Sequence, residues 1–289
     1  MSSGFYGDVK KPSKALLAIE TGRALAEFAA LPAARPFLNA ARLGDGHPVL
    51  VCPGFLGGDG STTVLRNFIH EKGYDVYGWK LGQNLGLKTT GDEGELLIDR
   101  VTDIFARRKR RLTLVGWSLG GVMCREIAKA MPDKIRQVVT LGSPIVGRPD
   151  TSNVHWLYER LTGHVLNNKE LTALQRELSA PPEEVPSTSI FTKTDGIVAW
   201  RTCIEPPSDF TDNIEVYASH CGLGVNAAVF YALADRLCLE PDEWEPFDRM
   251  KSVWRQMTYP SAGHVYHSEK PKKRRRKKPA ASAIFSAAT

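Results

Sequence analysis

Residues 112–121 read LTLVGWSLGG, and this stretch decides the fold. Leu112–Val115 reads as a short buried strand. Gly116-Trp117-Ser118-Leu119-Gly120 follows as a Gly-x-Ser-x-Gly sequence, and a helix is expected to open after it. A serine on a sharp strand-to-helix turn exposes its hydroxyl and lies beside the N–H groups at the helix start. Its neighbours must be small. Gly116 and Gly120 let strand and helix approach closely, and Gly121 adds room. A bare Gly-x-Ser-x-Gly is a weak signal; in this context it assigns Ser118 as a nucleophile.

A serine nucleophile needs partners, and the sequence offers one for each role. The loop after an earlier strand, in VLVCPGFLGG, can supply backbone N–H groups to a developing oxyanion. Phe55 is the expected donor there, with Leu56 as the alternative, and Leu119 supplies the second N–H. In SIFTKTDGIVAW, Asp195 lies just beyond a short strand. In NIEVYASHCGLG, His220 follows the next strand and precedes a long helix. The order is therefore Ser118, Asp195, His220, each at a strand's C-terminal end, where open α/β sheets bind ligands. His220 would take the serine proton, and Asp195 would hold the imidazole tautomer. His47, His70, His155 and His164 precede Asp195 and break that order. His264 and His267 follow no strand. Asp212 is expected in a polar loop before a strand, not after one.

Around these motifs, short apolar runs alternate with helical stretches: Pro48–Cys52, Tyr74–Trp79, Leu112–Val115, Ile135–Leu141, Ser189–Thr192 and Ile214–Ala218 as strands. That alternation predicts a mostly parallel α/β sheet. Ahead of it, Lys14 to about Leu31 reads as an amphipathic helix ended by Pro32 and Pro36. Leu17, Thr21, Ala24, Leu25 and Phe28 fall near one face, and Glu20, Arg23 and Glu27 fall elsewhere. Residues 148–186 break the alternation and read as a helical insertion. The expected organisation is an N-terminal helical extension (1–45), an α/β domain (46–263) and a basic, disordered tail (264–289).

Composition narrows the classes. The chain has 289 residues, 42% hydrophobic and 24% charged, which excludes wholesale disorder and rod-like repeats. Its net charge is +6, but residues 268–289 carry eight Lys/Arg against one Glu, a net +7, leaving the rest at −1. The body therefore has no electrostatic case for nucleic acid. The tail is expected to be solvated, with contact to an anionic membrane surface or nucleic acid, or a localisation signal, as the alternatives. Glu20, Arg23 and Glu27 interrupt the apolar run of a signal peptide, so a cytoplasmic protein is expected. Five cysteines in no metal-binding spacing point to reduced thiols. A Cys203–Cys221 disulfide is the alternative, because the loops carrying Asp195 and His220 must meet.

PGFLGG, GWSLGG, TLGSPIVG, TDGIV and SHCGLG, spread over Pro48 to Leu239, resemble the α/β-hydrolase superfamily, in particular its bacterial lipase and esterase-like branch. The sequence departs from that pattern in two places: Pro53-Gly54 stands where His-Gly is common, and Trp117 where His is frequent. The resemblance implies an eight-stranded, mostly parallel sheet, a lid inserted late in it, and a Ser-Asp-His triad falling on Ser118, Asp195 and His220. It implies cleavage of carboxylic esters, including lipid esters, through an acyl-enzyme, with no metal or organic cofactor. Trp117, Trp156, Leu157 and Leu161 would shape an apolar acyl pocket, unless Trp117 packs under the turn. Acyl transfer or thioester cleavage with the same triad is an alternative, as is a non-catalytic binding protein on this fold.

Overall fold

Strands buried along their whole length, such as PVLVC and IRQVVTL, must be covered on both faces, which a parallel sheet with flanking helices achieves. A computed structural model of the chain describes residues 9–91, 94–146, 179–240 and 243–262. Its strands are β1 (Pro48–Cys52), β2 (Asp75–Gly78), β3 (Leu112–Trp117), β4 (Ile135–Leu141), β5 (Ser187–Phe191) and β6 (Thr211–Glu215). They form one sheet in the order β2-β1-β3-β4-β5-β6, with every neighbouring pair parallel. The order turns back on itself at β1 and β3, and open α/β sheets bind ligands beyond the C-terminal ends of strands at such a point. The eight strands implied by resemblance become six among the described residues. No described strand precedes β1, because the Ala-rich chain ahead of it forms a helix.

The helices are α1 (Lys14–Asn39), α2 (Thr63–Glu71), α3 (Leu87–Thr90), α4 (Glu95–Arg108), α5 (Leu119–Ala130), α6 (Ala227–Leu237) and α7 (Val253–Thr258). Alternate strand residues divide the core in two. Val49, Val51, Val115, Val139 and Ile190 pack with Phe68 and Ile69 of α2 and Phe230 and Leu233 of α6. Leu50, Cys52, Leu114 and Val138 pack with Val101 and Ile104 of α4 and Ile127 of α5. No helix among the described residues is long and apolar enough to cross a membrane. Most of the expected insertion, with Trp156, Leu157 and Leu161, lies outside the described residues, as does the 264–289 tail.

Two expectations about α1 are corrected. The helix does not end near Leu31; it runs through Pro32 and Pro36 to Asn39. Both prolines lie on its exposed side. Beyond them Leu38 is buried, and Phe37 stacks on Tyr231 and packs against Trp254 at ring separations of 4.8 and 4.1 Å. Tertiary packing thus outweighs the two lost backbone donors. The faces are also reversed. Glu20 is buried, whereas Leu25 and Phe28 are 63% and 50% exposed.

At the sheet's opposite end, buried His47 contacts Asp45 through Nδ1 and Thr113 Oγ1 through Nε2. Burial, then the charge of Arg136, outweigh Asp45 and push its pKa from 6.5 down to about 4. The unfolded chain therefore takes up a proton that the folded protein refuses. Stability should fall as pH drops from about 6.5 to about 4, by about 3 kcal/mol from this group, and level off below. Urea unfolding across that window, with His47→Gln alongside, checks this: the variant should lack that part of the slope.

Candidate active site

Ser118 stands alone between the last residue of β3 and the first of α5, with φ 52° and ψ −122°. A side chain at positive φ is strained and persists only where its surroundings fix it. Here the Ser118 N–H donates to Leu141 O at 2.8 Å, and Ser118 O accepts from Gly121 N–H at 3.0 Å. The glycines answer a need for space. A Cβ on Gly120 would lie 2.5 Å from the carbonyl oxygens of both Cys52 and Pro53, and one on Gly116 2.3 Å from Gly121 Cα. Strand, turn and helix are packed backbone to backbone.

The loop after β1 lies directly against this turn, since a Cβ on Gly54 would come within 3.2 Å of Ser118 Cβ. Its shape depends on Asn84, which is fully buried. The Asn84 side chain donates to Pro53 O at 2.8 Å and accepts from Gly86 N–H at 3.0 Å. Its backbone O accepts from Leu56 N–H at 2.8 Å, and its N–H donates to Gly57 O at 2.7 Å. Leu56 N–H is thereby engaged by Asn84 O; Phe55, the donor expected from the sequence, lies between Gly54 and Leu56 in the same loop. Leu119 is the first residue of α5, where N–H groups have no partner within the helix. Sequence reading passed over Asn84. A single amide in the polar stretch LGQNLGLKTTG carries no sign that it is buried.

Asp195 follows β5 and His220 follows β6, and their side chains meet. His220 Nδ1 lies 2.6 Å from Asp195 Oδ2. Asp195 Oδ1 accepts from Ile197 and Val198 N–H at 2.8 and 2.7 Å, so the carboxylate cannot turn away. With Nδ1 donating to Asp195, Nε2 is the nitrogen left to exchange protons. Both residues are buried. Burial lowers the His220 pKa, but the charge and hydrogen bond of Asp195 and the charge of Glu20 outweigh it, and the net shift is upward. Ser118 and this pair share one anchor, the end of β4. Leu141 O takes the Ser118 N–H, and a Cβ on the next residue, Gly142 (φ 56°), would lie 3.2 Å from His220 Nδ1.

The other candidates fall elsewhere. Trp117 is tied to the His220 loop: its indole N–H donates to His220 O at 3.1 Å, and its ring lies against Gly224. Asp212 is inside β6, not in a loop before it. It is buried there because its carboxylate accepts from Asn213 and Phe247 N–H at 2.8 and 2.6 Å. Cys203 and Cys221 are free thiols.

A model of the alpha/beta hydrolase family matches residues 27–274. The chain belongs to the α/β-hydrolase family. Among solved structures, lipase B of Aspergillus fumigatus shares this fold at 17% identity, over 74% of this chain and 56% of that one, with a TM-score of 0.55. The match thus spans little more than half of the fungal enzyme's length. A structure from work on LipS and LipT, two metagenome-derived lipolytic enzymes, aligns at 15% identity over 68% of this chain and 93% of that one, with a TM-score of 0.50. No curated protein matches the sequence.

In this hydrolase-fold chain, replacing Asn84 by Ala would strand Pro53 O and Gly86 N–H. Each stranded group costs about 1–3 kcal/mol. Asn84→Ala is expected to lower unfolding stability by about 2–4 kcal/mol, measured by urea denaturation.

Proposed function

We propose that this α/β hydrolase cleaves carboxylic esters through Ser118, His220 and Asp195. The observation that carries the reading is the Asp195–His220 hydrogen bond, with His220 against Gly142 and the Ser118 N–H bonded to the residue before it, Leu141. Ser118 Oγ attacks the ester carbonyl while His220 Nε2 takes its proton. The charge moving onto the carbonyl oxygen is met by the N–H groups of Phe55 and Leu119, where a fixed donor acts without reorganising. His220 then returns the proton to the leaving alkoxide, and Asp195 stabilises the imidazolium in between. Water, deprotonated by His220, resolves the acyl-enzyme. Trp117, bonded to the His220 loop, would hold the base in place. The lipolytic descriptions of the two similar structures agree with an apolar acyl group. A cytoplasmic enzyme whose basic tail meets an anionic lipid surface fits the charge distribution.

The test is hydrolysis of p-nitrophenyl esters of increasing chain length. Ser118→Ala and His220→Ala should each lower kcat by at least about 1,000-fold, and the double variant should be no worse than either, because these groups act as a unit. Equal turnover in Ser118→Ala would remove the assignment. The reaction needs neutral His220, so kcat/KM should fall with acid through a midpoint above the ordinary imidazole value of about 6.5. Retained turnover well below that value would exclude His220 as the base.

A further inference from the structure

α1 turns a polar face toward the two loops that carry Asp195 and His220. Glu20 accepts from Gly196 N–H through Oε1 at 2.7 Å and from Cys221 N–H through Oε2 at 3.1 Å. Those are the residues immediately after Asp195 and His220. Arg23 donates to Thr194 O and Oγ1 at 2.7 and 2.8 Å, and to Ala218 O. Glu27 accepts from Ser219 N–H at 2.7 Å and from the Asn226 amide at 2.9 Å. Thr194 precedes Asp195, and Ser219 precedes His220. Positions 20, 23 and 27 share one helix face, so three side chains hold the residues on both sides of the acid and of the base.

Chain separation and energetics set this apart from ordinary helix packing. A helix docking for stability alone buries its apolar side chains. Ahead of its apolar anchors Phe37 and Leu38, α1 instead leaves Ile19, Leu25 and Phe28 half-exposed or more and buries a carboxylate at 3% exposure. Burying a carboxylate is costly unless its oxygens are hydrogen-bonded, and both Glu20 oxygens are. A Cβ on Gly196 would lie 2.6 Å from the Leu16 carbonyl carbon, so the helix backbone also touches the Asp195 loop. The family match begins at residue 27, after Glu20 and Arg23.

We propose that α1 splints the acid–base pair, with Glu20 as its positioning residue: one buried carboxylate fixes the Asp195 and His220 loops to each other and sets a second negative charge beside the base. This rests on the triad reading above. Among the described residues, Asp195 from the loop after β5 and Glu20 from α1 set their charges on His220, while Arg23 and Glu27 of α1 bond the residues just before it, Ala218 and Ser219. The thiol of Cys221 adjoins it, and the β4 side presents uncharged Gly142 with Leu223. Arg23 lies 3.8 Å from Glu20 and offsets part of its charge.

Glu20→Gln removes the charge and one acceptor while keeping the size. In the full chain, kcat should fall about tenfold with KM changed less than about threefold, since misplacement acts on the transition state. The His220 imidazole, followed by NMR in a pH titration, should titrate at lower pH, and the acid limb of kcat/KM should move with it. Glu20→Asp should restore the limb, and Arg35→Ala, on the exposed side of α1, should change neither. Glu20→Gln that lowers only the melting temperature, with the His220 titration unmoved, overturns the proposal. Should Glu20→Gln not fold, Arg23→Met decides: loss of the cation must shift the His220 titration upward, and no shift overturns the proposal. The NMR readout needs no turnover. Labelling of Ser118 by a fluorophosphonate reports the triad separately, so failure of one reading is distinguishable from failure of the other.

Discussion

Backbone contact at Gly120 is the constraint on which the rest of the site depends. Because no side chain fits between Gly120 and the carbonyls of Cys52 and Pro53, α5 starts against the end of β1 as well as at the end of β3. That proximity brings the loop after β1 onto Ser118. Strain at a positive-φ serine costs on the order of 1–3 kcal/mol. It is sustained because β3 is buried on both faces, with Val115 in one core and Leu114 in the other. The turn cannot relax without unpacking a central strand.

Loops at a sheet edge are ordinarily the mobile part of a fold. Here each is tied by a buried polar side chain from a distant part of the chain. Asn84 shapes the loop after β1 from a segment beyond β2. Glu20, Arg23 and Glu27 reach the Asp195 and His220 loops across about 170 to 200 residues of sequence. Asp195 then needs only two local N–H groups to aim its second oxygen at His220. Burying these polar groups is favourable because nearly all their bonding capacity is met, and the same bonds hold the hydroxyl, imidazole and carboxylate at one sheet edge.

Much of this architecture was legible in the residues. Strands such as PVLVC and IRQVVTL announce themselves by length and apolar content, and all of β1, β3 and β4 lie where those runs do. The turn at Ser118 follows from its glycines, and Asp195 and His220 stand out because each follows a strand. Other features did not show. β6 begins earlier than its apolar residues, because Asp212 is buried by backbone N–H partners. α1 outruns its prolines because Phe37 and Leu38 dock beyond them.

The sequence by itself determined the strand–helix alternation, the strained serine turn and the chain order of Ser118, Asp195 and His220. Those depend on local chemistry: apolar period, glycine space and the residue types at strand ends. Tertiary structure alone decided the strand order, the role of Asn84 and which face of α1 turns inward. Periodicity predicts burial of the apolar face only when the surface it meets is apolar. α1 meets the backbone N–H groups and carbonyls of two loops, and against such a surface Glu20, Arg23 and Glu27 are the complementary face.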